Sequence, residues 1–184
     1  ALNVRVPLLG RHSVHTALRA SAVGLIEGLG WDEIIAGLGG MSSQLRLVVI
    51  PGPRGSLLID DTYNSSPDSA LAALNLLADL DGRRIAVLGD MLELGDAETQ
   101  AHQVVGRRTA DVADLLITVG ARAQTIGRQA VLVGMASDHV QMVDDAPAAV
   151  PLLEEWVQPG DVILVKGSLV MQMDRIVNAL GRLD

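Results

Sequence analysis

A chain of 184 residues is long enough to bury a full core and suits one domain with an appendage, or two small domains. Its formal net charge of -8, with basic residues that are scattered arginines and a single lysine, excludes the clustered positive face that a nucleic-acid backbone requires. Zero cysteines exclude disulfides and thiolate metal sites, and no apolar run reaches membrane-spanning length.

Trp31, Tyr63 and Trp156 are the only aromatic residues, so the core must be aliphatic, which suits strands covered on both faces by helices. The first residues, Ala1 to Pro7, lack a signal-peptide pattern, and a cytoplasmic setting is expected. The chain opens without Met on a strand-like Val4-Arg5-Val6, and we expect it to be a piece of something longer.

Apolar residues at helical spacing (Val14, Ala17, Leu18, Ala22, Leu25) predict a helix from His12 to Leu29, and Trp31 to Leu38 reads as a second, closed by Gly39-Gly40. Two strand-like runs follow, Leu45 to Ile50 and Ser56 to Ile59. The prolines of Pro51-Gly52-Pro53-Arg54-Gly55 make the link between them hairpin-like and forbid continuous pairing. From there strands alternate with helices. Helices are expected at Pro67–Leu80, Glu98–Asp111, Ala121–Leu132, Ala146–Val157 and Val170–Leu183, with strands at Arg84–Leu88, Leu115–Val119, His139–Val143 and Val162–Val165. That alternation predicts an α/β fold, a Rossmann-like, mostly parallel sheet with helices on both faces. The boundary falls between Met41 and Leu45, giving a helical segment 1–44 and an α/β domain 45–184.

Polar groups gather where strands end, and in open α/β sheets those ends form the ligand crevice. The run Leu57-Leu58-Ile59 enters Asp60-Asp61-Thr62-Tyr63-Asn64, after which Ser66 can cap a helix whose first residue is Pro67. The plain alternative is a decorated βα turn. A second strand end carries Gly89-Asp90-Met91-Leu92-Glu93-Leu94-Gly95, with two acids on the same rim. A third carries Lys166-Gly167-Ser168, and Lys166 is the only lysine. Lys166 reads either as a strand-end charge reaching solvent and pairing with Asp90 or Asp61, or as an ammonium beside a Gly-Ser nest at a helix N-terminus, suited to an anion.

Several motifs point nowhere. His12 and His15 share a helix face, yet no acid or third imidazole stands near them in sequence, and a capping or solvent role is favoured over metal. His102 follows the Gly89-to-Gly95 loop on a helix and could face the same rim, although an isolated helical histidine is more often on the surface. His139 carries no signal. Gly120-Ala121-Arg122-Ala123-Gln124 lacks the spacing of a dinucleotide turn, and no Gly-x-x-x-x-Gly-Lys-Ser/Thr phosphate loop occurs in the sequence. Any nucleotide would need a second binding half.

Taken in order, Leu9-Gly10-Arg11-His12-Ser13-Val14-His15-Thr16-Ala17, Arg46, Ile59-Asp60-Asp61-Thr62-Tyr63-Asn64-Ser65-Ser66-Pro67, Val87-Leu88-Gly89-Asp90-Met91-Leu92-Glu93-Leu94-Gly95, His102 and Val165-Lys166-Gly167-Ser168 resemble the C-terminal part of MurF-type Mur ligases. The resemblance runs nearly end to end. It implies that 1–44 is the helical end of a central ATPase domain and 45–184 the C-terminal Rossmann-like domain. It further implies ATP-dependent addition of D-alanyl-D-alanine to UDP-N-acetylmuramoyl-tripeptide through an acyl phosphate in peptidoglycan synthesis, with Mg²⁺ and oriented donors rather than a protein nucleophile. By the same resemblance Asp61 would hold the ATP ribose, Arg46 would reach the phosphates and Thr16 would stand at the adenine. Asn64, Asp90, Glu93, Lys166, Gly167 and Ser168 would line the crevice near the second substrate.

The sequence departs from the family in three places. The family's His-Asn-x-x-Asn is here His12-Ser13-Val14-His15-Thr16, and a hydroxyl cannot reproduce a two-point amide contact with adenine. Leu169 stands where many members have Arg, which removes a guanidinium from carboxylate anchoring unless Arg175 substitutes. Ser65-Ser66 replaces the commoner Ala-Asn. Two other readings remain open: a non-catalytic α/β domain that binds a small anion, and a sister ligase adding a different amino acid.

Overall fold

The computed structural model describes residues 4, 6, 7, 13–39 and 47–181. The chain divides into two compact units, residues 1–45 and 46–184.

In the first unit α1 (Ser13–Ile26) and α2 (Trp31–Gly39) are joined by a tight turn. Gly28 takes φ +85°, which only glycine adopts without strain, and the Leu29 N–H then returns to the Gly24 carbonyl at 2.9 Å. Glu33 caps α2 by accepting from the Gly30 N–H at 2.9 Å. Gly24 lets the helices approach, since a Cβ there would stand 3.0 Å from Ile34 Cγ1. The apolar positions that mark α1 in the sequence nevertheless stay exposed, Val14 at 59% and Leu18 at 61%.

The second unit is a six-stranded sheet in the order β1-β2-β6-β3-β4-β5. Its strands are β1 (Val48–Pro51), β2 (Leu57–Asp61), β3 (Arg84–Gly89), β4 (Leu115–Val119), β5 (Val140–Val143) and β6 (Val162–Lys166). Only β1 is antiparallel, folded onto β2 through a 3-10 turn at Pro53–Gly55. Pro51 still occupies the last register position opposite Leu57, which is tolerable because β1 is an edge strand.

Five helices cover the sheet: α3 (Pro67–Ala78), α4 (Glu98–Val112), α5 (Gln124–Leu132), α6 (Ala146–Trp156) and α7 (Asp174–Leu180). Strand alternation divides the core between the two faces. Ile59, Ala86, Leu88, Leu116 and Leu164 pack with α3, α4 and α5, while Leu58, Ile85, Val87, Ile117, Ile163 and Val165 pack with α6 and α7. Both faces are therefore apolar along each central strand, as a parallel sheet between helix layers demands.

Several boundaries differ from the sequence expectation, among them β2, which runs on through Asp61 rather than ending at Ile59. The last helix begins at Asp174, not Val170, because residues 169–171 form a 3-10 turn and Gln172 takes a left-handed φ of 50° before Met173 enters the core. Residues 121–123 form a turn ahead of α5. His139 belongs to a 3-10 turn before β5. At the last helix the apolar Leu169-Val170-Met171 mimics a helix start that Gln172 interrupts.

Candidate functional site

The sheet order puts β6 between β2 and β3, so three polar loops leave the same edge side by side. Asp61 of β2 is in register with Lys166 of β6, and Lys166 with Leu88 of β3. The residues that follow are Thr62 to Asn64, Gly167-Ser168 and Gly89 to Gly95.

Lys166 is 1% exposed and fills the gap between two of these loops. Its Nζ donates to Asp61 Oδ2 at 2.7 Å and to the Asn64 carbonyl at 2.8 Å. The solvent-reaching strand-end charge is thus corrected. The ammonium pairs with Asp61, but inside the protein, where an ion pair needs these additional hydrogen bonds to offset desolvation. Gly167-Ser168 does precede a helical turn, but it is the single 3-10 turn Leu169–Met171 with Ser168 at its N-cap position, and α7 starts six residues beyond Ser168.

The β2–α3 loop is ordered locally. Asp60 Oδ1 accepts from the Thr62 N–H at 3.1 Å and the Thr62 hydroxyl at 2.7 Å, and Asn64 Oδ1 accepts from the Ser65 N–H at 2.8 Å. Ser66 caps α3 with a reciprocal box, its own N–H donating to Ser69 Oγ at 2.9 Å. Tyr63 and Asn64 remain exposed above the buried Asp61.

The β3 and β6 loops touch through backbone. A Cβ on Gly167 would stand 2.7 Å from Met173 Cγ and 3.2 Å from the Gly89 Cα, so these positions exclude side chains. The Ser168 N–H donates to the Asp90 carbonyl at 3.1 Å, and Ser168 Oγ accepts from the Leu92 N–H at 3.1 Å. The Asp90 carboxylate is buried and turned toward α5, accepting from the Ala123 N–H at 2.7 Å. Gly120, at φ +99°, makes room for it: a Cβ there would lie 2.6 Å from Asp90 Oδ1. Arg122 lies 3.6 Å from Asp90 Oδ2 and bonds Glu98 at 2.9 Å.

Of the residues expected at the site, Asp61, Asn64 and Lys166 therefore meet, as do Asp90 and Ser168, with Gly167 against Gly89. Glu93 is exposed on the β3–α4 loop. Thr16 is exposed on α1 in the other unit. Arg46 lies outside the described residues. Sequence reasoning undervalued His102, which is buried and bonded to the loop rather than on the surface, and Arg122, whose role follows from the Asp90 side chain crossing to α5. Only the position of His102 within the motif series signalled it.

Loops gathered at the carboxyl ends of adjacent parallel strands define an α/β domain that receives ligands at a strand-end crevice. The family model described as "Mur ligase, glutamate ligase domain" matches residues 45–169, and the chain belongs to that family. It is 35% identical over 179 residues to the UDP-N-acetylmuramoyl-tripeptide--D-alanyl-D-alanine ligase of Bacillus subtilis, covering 95% of this chain and 39% of that protein. Among solved structures, MurF from Acinetobacter baumannii superposes with a TM-score of 0.81 at 33% identity over 96% of this chain and 39% of that one. The MurF ligase of Thermotoga maritima, in complex with ADP, gives a TM-score of 0.69 at 25% identity over 88% and 36%. The chain thus spans well under half the length of the relatives it matches.

Proposed function

We propose that these residues form the C-terminal part of an ATP-dependent ligase that joins D-alanyl-D-alanine to UDP-N-acetylmuramoyl-tripeptide in the cytoplasmic stage of peptidoglycan precursor synthesis. The observation that carries this reading is the meeting of the Asp60-to-Asn64, Gly89-to-Gly95 and Lys166-to-Ser168 segments at three adjacent strand ends, in a chain 35% identical to a ligase of that name. In such a reaction the γ-phosphoryl group passes from ATP to the tripeptide carboxylate. The dipeptide amine then attacks the acyl carbon, loses its proton, and the tetrahedral intermediate expels phosphate.

Residues 45–184 would supply walls for two of the reactants. On the same resemblance Asp61 would hold the ribose, a role a carboxylate can serve as a hydrogen-bond acceptor, with Lys166 Nζ on its Oδ2 orienting the group. Asn64 and Glu93, exposed on neighbouring loops, would face the incoming amino component, and Arg46 the phosphates. Asp90 and Ser168 would contribute by fixing those loops, since their polar groups bond to each other, to Leu92 and to Ala123, and Gly167 by its close approach to Gly89. Thr16 stands as the adenine-side residue on the same resemblance. Among the described residues no group of three or more His, Asp or Glu could hold a metal ion. On the same resemblance ATP and Mg²⁺ would also need ligands from the part of the central domain that carries the phosphate loop.

Residues 1–44 would be the helical end of the ATP-binding domain. The exposed Val14, Leu18 and Ile26 of α1 support this, because a two-helix unit cannot bury such a face by itself. The anion-binding alternative has lost its main support, the lone lysine being committed to Asp61. Phosphate release by the full-length protein tests the substrate: D-alanyl-D-alanine should sustain turnover, and turnover with single amino acids alone would overturn the dipeptide reading. The 184 residues by themselves should neither hydrolyse ATP nor bind it with nanomolar affinity in calorimetry, since they contain no phosphate loop.

A further inference from the structure

The side chain that holds the middle of the β3–α4 loop is His102, on the first turns of α4 and 1% exposed. Its Nδ1 lies 2.7 Å from the Glu98 carbonyl and its Nε2 3.2 Å from the Met91 backbone nitrogen. A carbonyl only accepts and a backbone N–H only donates, so both contacts are satisfied by one form alone, the neutral imidazole protonated on Nδ1. The ring ties the loop to the helix that follows it.

What the ring holds in place is strained. Glu93 takes a left-handed φ of 62°, a conformation that is unfavourable for a residue with a side chain and persists only where the surroundings impose it. The surroundings here are specific. Met91 is buried in the core with its N–H on His102, Leu92 gives its N–H to Ser168 Oγ, and Leu94 packs against the same core. Between these anchors Glu93 is exposed, on the loop that leaves the carboxyl end of β3.

We propose that His102, held as the Nδ1–H tautomer, is a positioning residue that acts through the Met91 N–H to set Glu93 at the crevice, where its carboxylate takes the ammonium-bearing amino substrate. This rests on the ligase reading for the identity of the ligand; the tautomer and the clamp do not. A purely structural role would affect stability and leave recognition alone.

The test uses the full-length protein. His102→Leu keeps the buried volume but leaves the Met91 N–H unpaired, whereas His102→Gln offers an oxygen to accept from it. We expect His102→Leu to raise KM for the amino substrate by roughly tenfold or more with KM for ATP little changed. His102→Gln should recover most of that loss, and His102→Leu should add nothing to Glu93→Ala. A folded His102→Leu with an unchanged KM, or effects that simply add, would overturn the proposal. Nitrogen-15 NMR of the imidazole must show the Nδ1–H pattern, and amide exchange at Met91 and Leu92 must quicken in His102→Leu. An Nε2–H pattern in the unmodified protein overturns the clamp whether or not any substrate has been identified, and decides the matter should His102→Leu fail to fold. Loss of turnover with every amino component, alongside an intact Nδ1–H pattern and the expected exchange, would instead indict the ligase reading.

Discussion

Two buried carboxylates, at opposite ends of the sheet, are held by cations of different kinds. At the carboxyl ends Asp61 meets Lys166, with side chains 5% and 1% exposed. At the amino ends Asp161 meets Arg83, whose side chain is 32% exposed. Arg83 approaches with Nε at 3.0 Å and a terminal nitrogen at 2.7 Å, and also donates to the Trp156 carbonyl, while Asp161 accepts from the Gln158 N–H at 2.8 Å. The planar guanidinium makes a self-contained staple that closes the turn between α6 and β6. The ammonium at the other end is a compact charge on β6 shared between the Asp61 carboxylate at the end of β2 and the Asn64 carbonyl in the loop that follows it. One end uses its pair to close a turn; the other uses its pair to place loops around a crevice.

Replacing the crevice lysine should therefore have the largest effect. Lys166→Met leaves Asp61 buried without its ammonium and should cost about 3–5 kcal/mol in urea unfolding. Adding Asp61→Leu should recover much of that stability without restoring turnover in the full-length protein. An unchanged unfolding midpoint for Lys166→Met would erase the contrast between the two ends.

At the staple, Asp161→Ala should cost about 2 kcal/mol, the range for hydrogen bonds to a charged group, and leave kcat and KM of the full-length protein untouched. A kinetic effect there would break the division of roles. The pair also raises the Arg83 pKa above its ordinary value, chiefly through its hydrogen bond to Asp161. A raised pKa contributes stability that is complete below the unfolded value and is lost only as pH climbs through the folded one. The stability difference between the unmodified protein and Arg83→Gln should accordingly be flat from about pH 6 to about pH 10. Smallest of all, Ser66→Ala removes the exposed cap of α3 and should cost about 1 kcal/mol, sharpening the comparison by showing how little the loop's local bonds weigh beside Lys166.

The fold was legible because its signals are local. Alternating apolar strands and helices, the Ser66-Pro67 start and the glycine-rich strand ends each follow from a few neighbouring residues. The candidate site was legible as a set of segments but not as a set of bonds. The sequence offers Asp90 and Asp61 as partners for Lys166, but nothing near it decides for Asp61, 105 positions away, or for burial rather than solvent. Asp90 reads as a rim acid until the Ala123 N–H and the space beside Gly120 turn it inward. His102 reads as a surface residue because its burial depends on where the preceding loop returns. Side-chain destinations set by tertiary contact are invisible to periodicity.

The place of β6 has a consequence for how the molecule comes into being. Residues 162–166 follow the other five strands of the sheet in sequence, yet they lie between strands formed by residues 57–61 and 84–89. During synthesis β2 and β3 emerge without the neighbour that each will pair with, and the gap between them stays open until almost the whole domain has left the ribosome. Such long-range pairing delays cooperative closure and leaves two apolar strand edges accessible to chaperones or to other nascent chains meanwhile. The vulnerable interval in the life of this domain is its birth.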